Sequence, residues 1–292
     1  MSGTRPTTDL AVLTPAADRL ARAVEAERSG GGFALRLRAR HGVWLGIAFL
    51  LAAGAAEAQI GPLPDQGVFA TLWRWIPFLL KGFTLNLIIS FGAMAIGTAL
   101  GAVLGLAQIS LLPPVRVGSW IATQFFRNSP WLVLLFAIML LFPYEIRIGD
   151  AIIPIPDWVK AVIGFSLPIM ANISEVVRGA VQSIPSGQWE SAESLAFSRR
   201  QTLWMIILPQ CIKRMIPPWM NWYAILTMAT PLASILGVEE AVNLTQQALV
   251  AEDSRTELLA PFYLFLLIIF FLYCYPIARL TQRLERRFTV KN

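Results

Sequence analysis

Hydrolytic, redox and group-transfer chemistry needs nucleophiles, bases or metal ligands within reach of one another, and this chain is poor in them. Its 292 residues include one histidine, His41, and two cysteines, Cys211 and Cys274. No Ser–His, Cys–His or His-x-x-x-His arrangement can be drawn from them, and the cysteines match no metal-site spacing. A Gly-x-x-x-x-Gly-Lys-Ser/Thr phosphate loop is also missing from the sequence. Neither catalysis nor a cofactor or metal is expected. The residues that stand out are polar groups set in apolar stretches: Asn86, Asn128, Ser129, Asn172, Glu175 and Thr230. Such groups are costly in hydrocarbon and usually face a bundle interior or a watery path. Asn128, Ser129 and Asn172 have the donors and acceptors to bind a small zwitterion, or equally to close backbone groups freed at Pro130 and Pro168. Glu175 and Arg178 are three apart, so on a helix they can pair.

The elements that position these residues follow from hydropathy. The chain is 56% hydrophobic and 14% charged, with a mean hydropathy of +0.59, too little charge to cover a soluble domain of this size. Apolar runs near the ~20 residues of a spanning helix fall at 43–58, 82–109, 120–142, 158–179, 218–237 and 261–280. The expected fold is all-α, a polytopic transmembrane bundle over 82–285 with one further helix before it. Residues 1–42, rich in Pro, Thr, Ala and Gly, read as a loosely ordered tail. The run at 43–58 reads as an uncleaved signal anchor; Ala56-Glu57-Ala58 resembles a cleavage site, but the preceding tail is long for a signal peptide. Trp73, Trp75 and Phe78 with Arg74 and Lys81 suit a short helix at the outer interface, within a segment 43–81 that precedes the core.

The formal net charge of +6 raises the question of nucleic acid. The basic residues flank apolar runs, as the positive-inside bias predicts, and form no stripe interleaved with aromatics, so no nucleic acid is expected. Six crossings with both termini in the cytoplasm put Arg199, Arg200, Lys213, Arg214 and the tail 286–292 inside. They put the acidic loop of Glu239, Glu240, Glu252, Asp253 and Glu257 outside. Gly97, Gly101 and Gly105 recur every four residues and let a neighbouring helix approach closely, first of all one of the same chain.

Residues 180–217 are too polar to span and too amphipathic to be an idle loop. Ile184-Pro185-Ser186-Gly187 is a turn signal. A short helix over 188–197 would carry Glu190 in its first turn, where the dipole favours an anion. Trp189, Ala192 and Ala196 would share a face that a partner could approach. Ser198-Arg199-Arg200-Gln201 has the form of a capping box that starts a second helix, which Pro209 should interrupt. Two readings are open on these residues alone: a docking hairpin, or a pair of helices lying on the membrane.

This segment resembles the signature loop of binding-protein-dependent ABC importer permeases, in which Glu-Ala-Ala, three residues, Gly, nine residues and Ile-x-Leu-Pro follow in order. Here the pattern reads Glu190-Ser191-Ala192, Ala196, then Ile206-Ile207-Leu208-Pro209, with Ser191 for Ala and Ala196 for Gly. Ala196 stands where Gly alone tolerates positive φ cheaply. Phe125 to Pro130, Glu175 to Glu190 and Leu232 to Val238 are similar to the polar amino-acid branch of that family. Met228-Ala229-Thr230-Pro231 departs from it, where Lys, Asp or Asn and Thr-Ser are usual.

The resemblance implies a type I importer permease of a bacterial inner membrane, with no ATPase chemistry of its own. It implies two ATPase subunits that receive the loop through Gly187, Gln188, Trp189, Glu190, Ala192, Ala196, Ile206, Leu208 and Pro209. It also implies a second permease subunit, identical or related, and an extracytoplasmic solute-binding protein. The candidate solute path is Asn128, Ser129, Asn172, Glu175 and Thr230. The competing class, a transporter driven by an ion gradient, would want paired charges near the midplane and repeated halves with interrupted helices; the sequence has few such charges and no clear repeat.

Overall fold

The computed structural model describes residues 67–148 and 151–288. The expected tail at 1–42, the anchor at 43–58 and the last four residues lie outside the described residues. The chain runs α1 (Val68–Gln108), α2 (Pro113–Asn128), α3 (Trp131–Leu141), a hairpin of β1 (Glu145–Ile148) and β2 (Ala151–Pro154), α4 (Asp157–Gln182) and α5 (Ser186–Ser194). A composite helix α6 (Arg199–Leu236), α7 (Ala241–Ala251) and α8 (Thr256–Phe288) complete it. α1, α4 and α8 are each long and apolar enough to cross a membrane. The pairs α2–α3, bent by 104°, and α6–α7, bent by 49°, bring the possible spans to five. These five fall where the last five apolar runs were expected.

α4 is the centre of the bundle. Ala161, Phe165, Ile169, Ile173 and Val177 are buried along it against Ile89, Ala93 and Met94 of α1 and Leu135 of α3. The glycine repeat makes the α1–α4 contact possible. A Cβ on Gly97 would lie 2.5 Å from Ile169 Cγ2, one on Gly101 2.7 Å from the Met170 carbonyl oxygen, and one on Gly105 2.7 Å from that of Ser174. Two helices meet backbone to side chain along three turns, the geometry that small residues allow in membranes. The repeat therefore serves packing within this chain.

Three expectations change. Residues 68–81 are not a separate interfacial helix: α1 continues through them and through Pro77 to Gln108, so the boundary at 81/82 falls inside one rod. At 41 residues that rod is about 60 Å long, twice the hydrocarbon thickness, and part of it extends beyond the apolar layer. Its first turns are held by packing, since Val68 and Leu79 are buried with Ala248, Leu249, Leu258 and Phe262 of α7 and α8.

Second, the all-helical reading missed the hairpin, which pairs Glu145 with Pro154 and Ile148 with Ala151. The Glu-Ile-Arg-Ile alternation is a strand signal too short to stand out between apolar runs. Third, Pro209 does not end a helix. The preceding residues Thr202–Ile207 form a π-helical turn in which the Leu208 N–H donates to the Leu203 carbonyl. The ladder is thereby re-routed just before the residue that lacks an N–H, and α6 runs on into the bundle.

Because the α1–α4 seam has no room for a methyl group, Gly101→Ala should destabilise the protein by about 1–3 kcal/mol. Gly118→Ala in α2, whose Cβ would meet nothing within 4 Å, should not. Thermal unfolding of both variants in detergent checks this.

Candidate functional site

The hairpin of α5 and the start of α6 is built around a small apolar cluster. Ala180 and Val181 of α4, Ile184 of the turn, and Ile207 and Cys211 of α6 are buried together, with Trp189, Leu203, Ile206 and Leu208 packed on them. Polar ties brace it: Arg214 Nη1 donates to the Ser183 carbonyl at 2.8 Å and to its hydroxyl at 2.9 Å. The Arg199 guanidinium sits 5.7 Å from the Trp189 ring centroid. The expected capping box is formed in full, since Ser198 Oγ accepts from Gln201 N–H and Gln201 Oε1 accepts from Ser198 N–H.

The helix begins at Ser186, two residues earlier than the sequence suggests, so Glu190 stands a full turn inside it and not in the first turn. Gly187, Gln188, Glu190, Ala196 and Pro209 are exposed. Ala192 is only 2% exposed, turned inward onto the hairpin, so the expected Trp189–Ala192–Ala196 partner face is not formed. Trp189 and Ala192, three apart, both turn inward, while Ala196 lies beyond the helix end at Ser194 and is exposed. Ala196 has φ of 58°, in the left-handed region: the turn has the conformation that the Gly of the pattern would supply, and here an alanine bears the strain.

The candidate path residues divide into four groups. Asn128 Nδ2 donates to the Gln124 carbonyl at 2.7 Å and Ser129 Oγ to that of Phe125 at 2.7 Å, so both tie off the end of α2 at the sharp bend. Asn172 is buried and donates to the Pro168 carbonyl at 2.8 Å. Glu175 lies elsewhere in chemistry: its carboxylate takes Arg178 Nη2 at 2.6 Å and faces Arg127 Nη1 at 3.4 Å. The i, i+3 pair is formed, and Arg127, from the polar stretch before Pro130, joins it as a partner the sequence did not reveal.

Thr230 belongs to a different, fully buried network. Asn86 Nδ2 donates to Thr230 Oγ1 at 2.9 Å and to Glu240 Oε2 at 2.7 Å, while Asn86 Oδ1 accepts from the Ala241 N–H at 3.0 Å. Glu240 Oε1 accepts from Val242 and Asn243 N–H, capping α7. Glu240 of the expected acidic loop is 0% exposed, so its carboxylate is not presented to solvent. Glutamate is an uncommon N-cap, which is why the sequence did not reveal it.

A second carboxylate of that loop is also engaged. Glu252, just past α7, accepts from Trp75 Nε1 at 2.9 Å and pairs with Arg74 and Arg255. The Trp75 hydrogen bond and the arginine charges hold its carboxyl below its ordinary value, against the opposing effect of burial. The sequence could not pair these residues, because the partners across helices lie 144 to 178 positions apart.

Two outcomes follow from this geometry. Asn86→Leu leaves the Ala241 N–H and one Glu240 oxygen unmatched, and should cost about 2 kcal/mol; a cycle with Glu240→Gln should be non-additive by about 1 kcal/mol in thermal unfolding. Ala196→Gly should relieve the turn, with a net gain of roughly 0.5 kcal/mol, seen as slower hydrogen exchange across the hairpin.

The fold and sequence both have relatives. The family described as "binding-protein-dependent transport system inner membrane component" matches residues 97–290. The chain is 34% identical over 207 residues to the inner membrane amino-acid ABC transporter permease protein YhdY of Escherichia coli K12, covering 71% of this chain and 55% of that one. It is 40% identical over 167 residues to the probable amino-acid ABC transporter permease protein YckA of Bacillus subtilis, covering 57% and 71%. The glutamine transport system permease protein GlnP of E. coli K12 is 29% identical over 224 residues, covering 74% and 97%. The crystal structure of an amino acid ABC transporter with histidines matches at a TM-score of 0.65 and 22% identity, covering 76% of this chain and all of that one. The inward-facing MetNI methionine ABC transporter matches at 0.56 and 15%, over 75% and 98%. With a family model spanning well over half its length, the chain belongs to the binding-protein-dependent transport system inner membrane components.

Proposed function

We propose that this chain is the permease subunit of an ATP-driven importer for a polar amino acid, in the inner membrane of a bacterium with both termini in the cytoplasm. Two such subunits, identical or related, enclose the pathway; an extracytoplasmic binding protein delivers solute, and a separate pair of ATPase subunits hydrolyses ATP. The observation that carries this reading is the braced hairpin, which presents Gly187, Gln188 and Glu190 outward while its apolar side is buried on α4 and α6. An idle surface loop has no need of such an anchor; a lever does. The curated relatives, permeases of amino-acid ABC transporters by name, support the solute class.

In this reading Asn128, Ser129, Asn172 and Thr230 shape the pathway by closing backbone and interhelix hydrogen bonds, leaving solute selection chiefly to the binding protein. Glu190 meets the ATPase groove. Glu190→Arg should weaken association with the ATPase by about tenfold or more, equivalent to ~1.4 kcal/mol, while the permease inserts at normal yield. Affinity purification in mild detergent, with quantification of the bound ATPase chain, measures it; unchanged recovery of the ATPase with the variant sinks the assignment.

A further inference from the structure

Beyond the hairpin, one line of polar contacts runs from its base to the sharpest bend in the bundle. At the base, Arg214 of α6 grips Ser183, the residue just past α4. One residue back, Gln182 Oε1 accepts from Arg178 Nη1 at 3.0 Å. The same guanidinium takes both carboxylate oxygens of Glu175, Nη2 to Oε2 at 2.6 Å and Nε to Oε1 at 3.3 Å. Glu175 Oε2 then faces Arg127 Nη1 at 3.4 Å.

Arg127 lies in the last turn of α2, immediately before the 104° bend into α3. Its neighbours Asn128 and Ser129 bond only to their own helix, so of the three it is Arg127 that makes a polar contact across to α4.

The links differ in strength. Those within α4 are charge-assisted, the closest at 2.6 Å, and they move as one with that helix. The Arg127 contact is longer, and Arg127 is 40% exposed against 17% for Glu175, so it is the weakest link. Two guanidinium groups also share one carboxylate, which leaves Arg127 incompletely balanced and free to let go. A rigid strut that ends in one loose ionic contact at a bend is a joint.

We propose that Glu175 is a positioning residue that passes displacement of the hairpin to the α2–α3 bend, with the Arg127–Glu175 contact as the joint that makes and breaks. This rests on the reading that the hairpin meets an ATPase. Glu175 and Arg127 then act through geometry, with no contact to solute.

The test uses the full permease reconstituted in lipid nanodiscs with the ATPase that co-purifies with it. Spin labels are placed on cysteines at Gly118 of α2, where there is open space, and at Leu140 of α3, 79% exposed. The native cysteines are buried. The distance across the bend is read with and without ATP and vanadate.

The wild type should shift on trapping. Arg127→Met and Glu175→Gln should trap vanadate as well as the wild type yet lose most of the shift, Arg127→Lys should keep it, and the double variant should be no worse than either single one. A full shift in Arg127→Met overturns the proposal, as does a wild type that traps vanadate without any shift, or a variant whose trapping and shift fall together. Failure of the wild-type chain to bind any ATPase is a different result: it removes the functional reading, and this inference with it.

Discussion

The bundle depends on the seam between α1 and α4, where three glycines let one helix lie against the side chains and carbonyls of the other. Water drives no association between apolar helices in lipid, so closeness of packing has to supply the attraction. α4 is buried on several sides, and α2, α3 and α6 pack around it. Once that central helix is fixed, its end at Gln182 sets where the hairpin starts, and its Glu175 stands opposite Arg127 of α2.

The spans, the glycine seam and the capping box were legible in the sequence because each is a local pattern with one physical meaning. Residues four apart on a helix share a face, and Ser198 with Gln201 can close only the N-terminus of a helix. What the sequence could not show depended on distant partners or on small choices among local alternatives. Glu240 looks like a surface acid until Asn86 is placed beside it. Residues 68–81 look interfacial until α7 and α8 cover their apolar side. Pro209 reads as a breaker because the rule concerns a regular ladder, and a π turn offers another register.

The candidate path residues teach a similar lesson. Asn128, Ser129 and Asn172 were expected to bind solute or to satisfy backbone, and their donors go to helix carbonyls. Polar side chains in a membrane protein are first of all repairs to the helices that carry them. Those with a reach beyond their own helix, such as Glu175 and Asn86, organise the bundle.

The buried amide of Asn86 also has a meaning for how the protein is made. It enters the bilayer early, on the first described helix, while the carboxylate and the N–H that satisfy it are specified 154 and 155 positions later. Until synthesis reaches α7, that amide lacks two of its three partners, Thr230 of α6 being the one made earlier. Asn86 thus ties the first described helix to α7, and its hydrogen bonds can be completed only once residues 240 and 241 have been made.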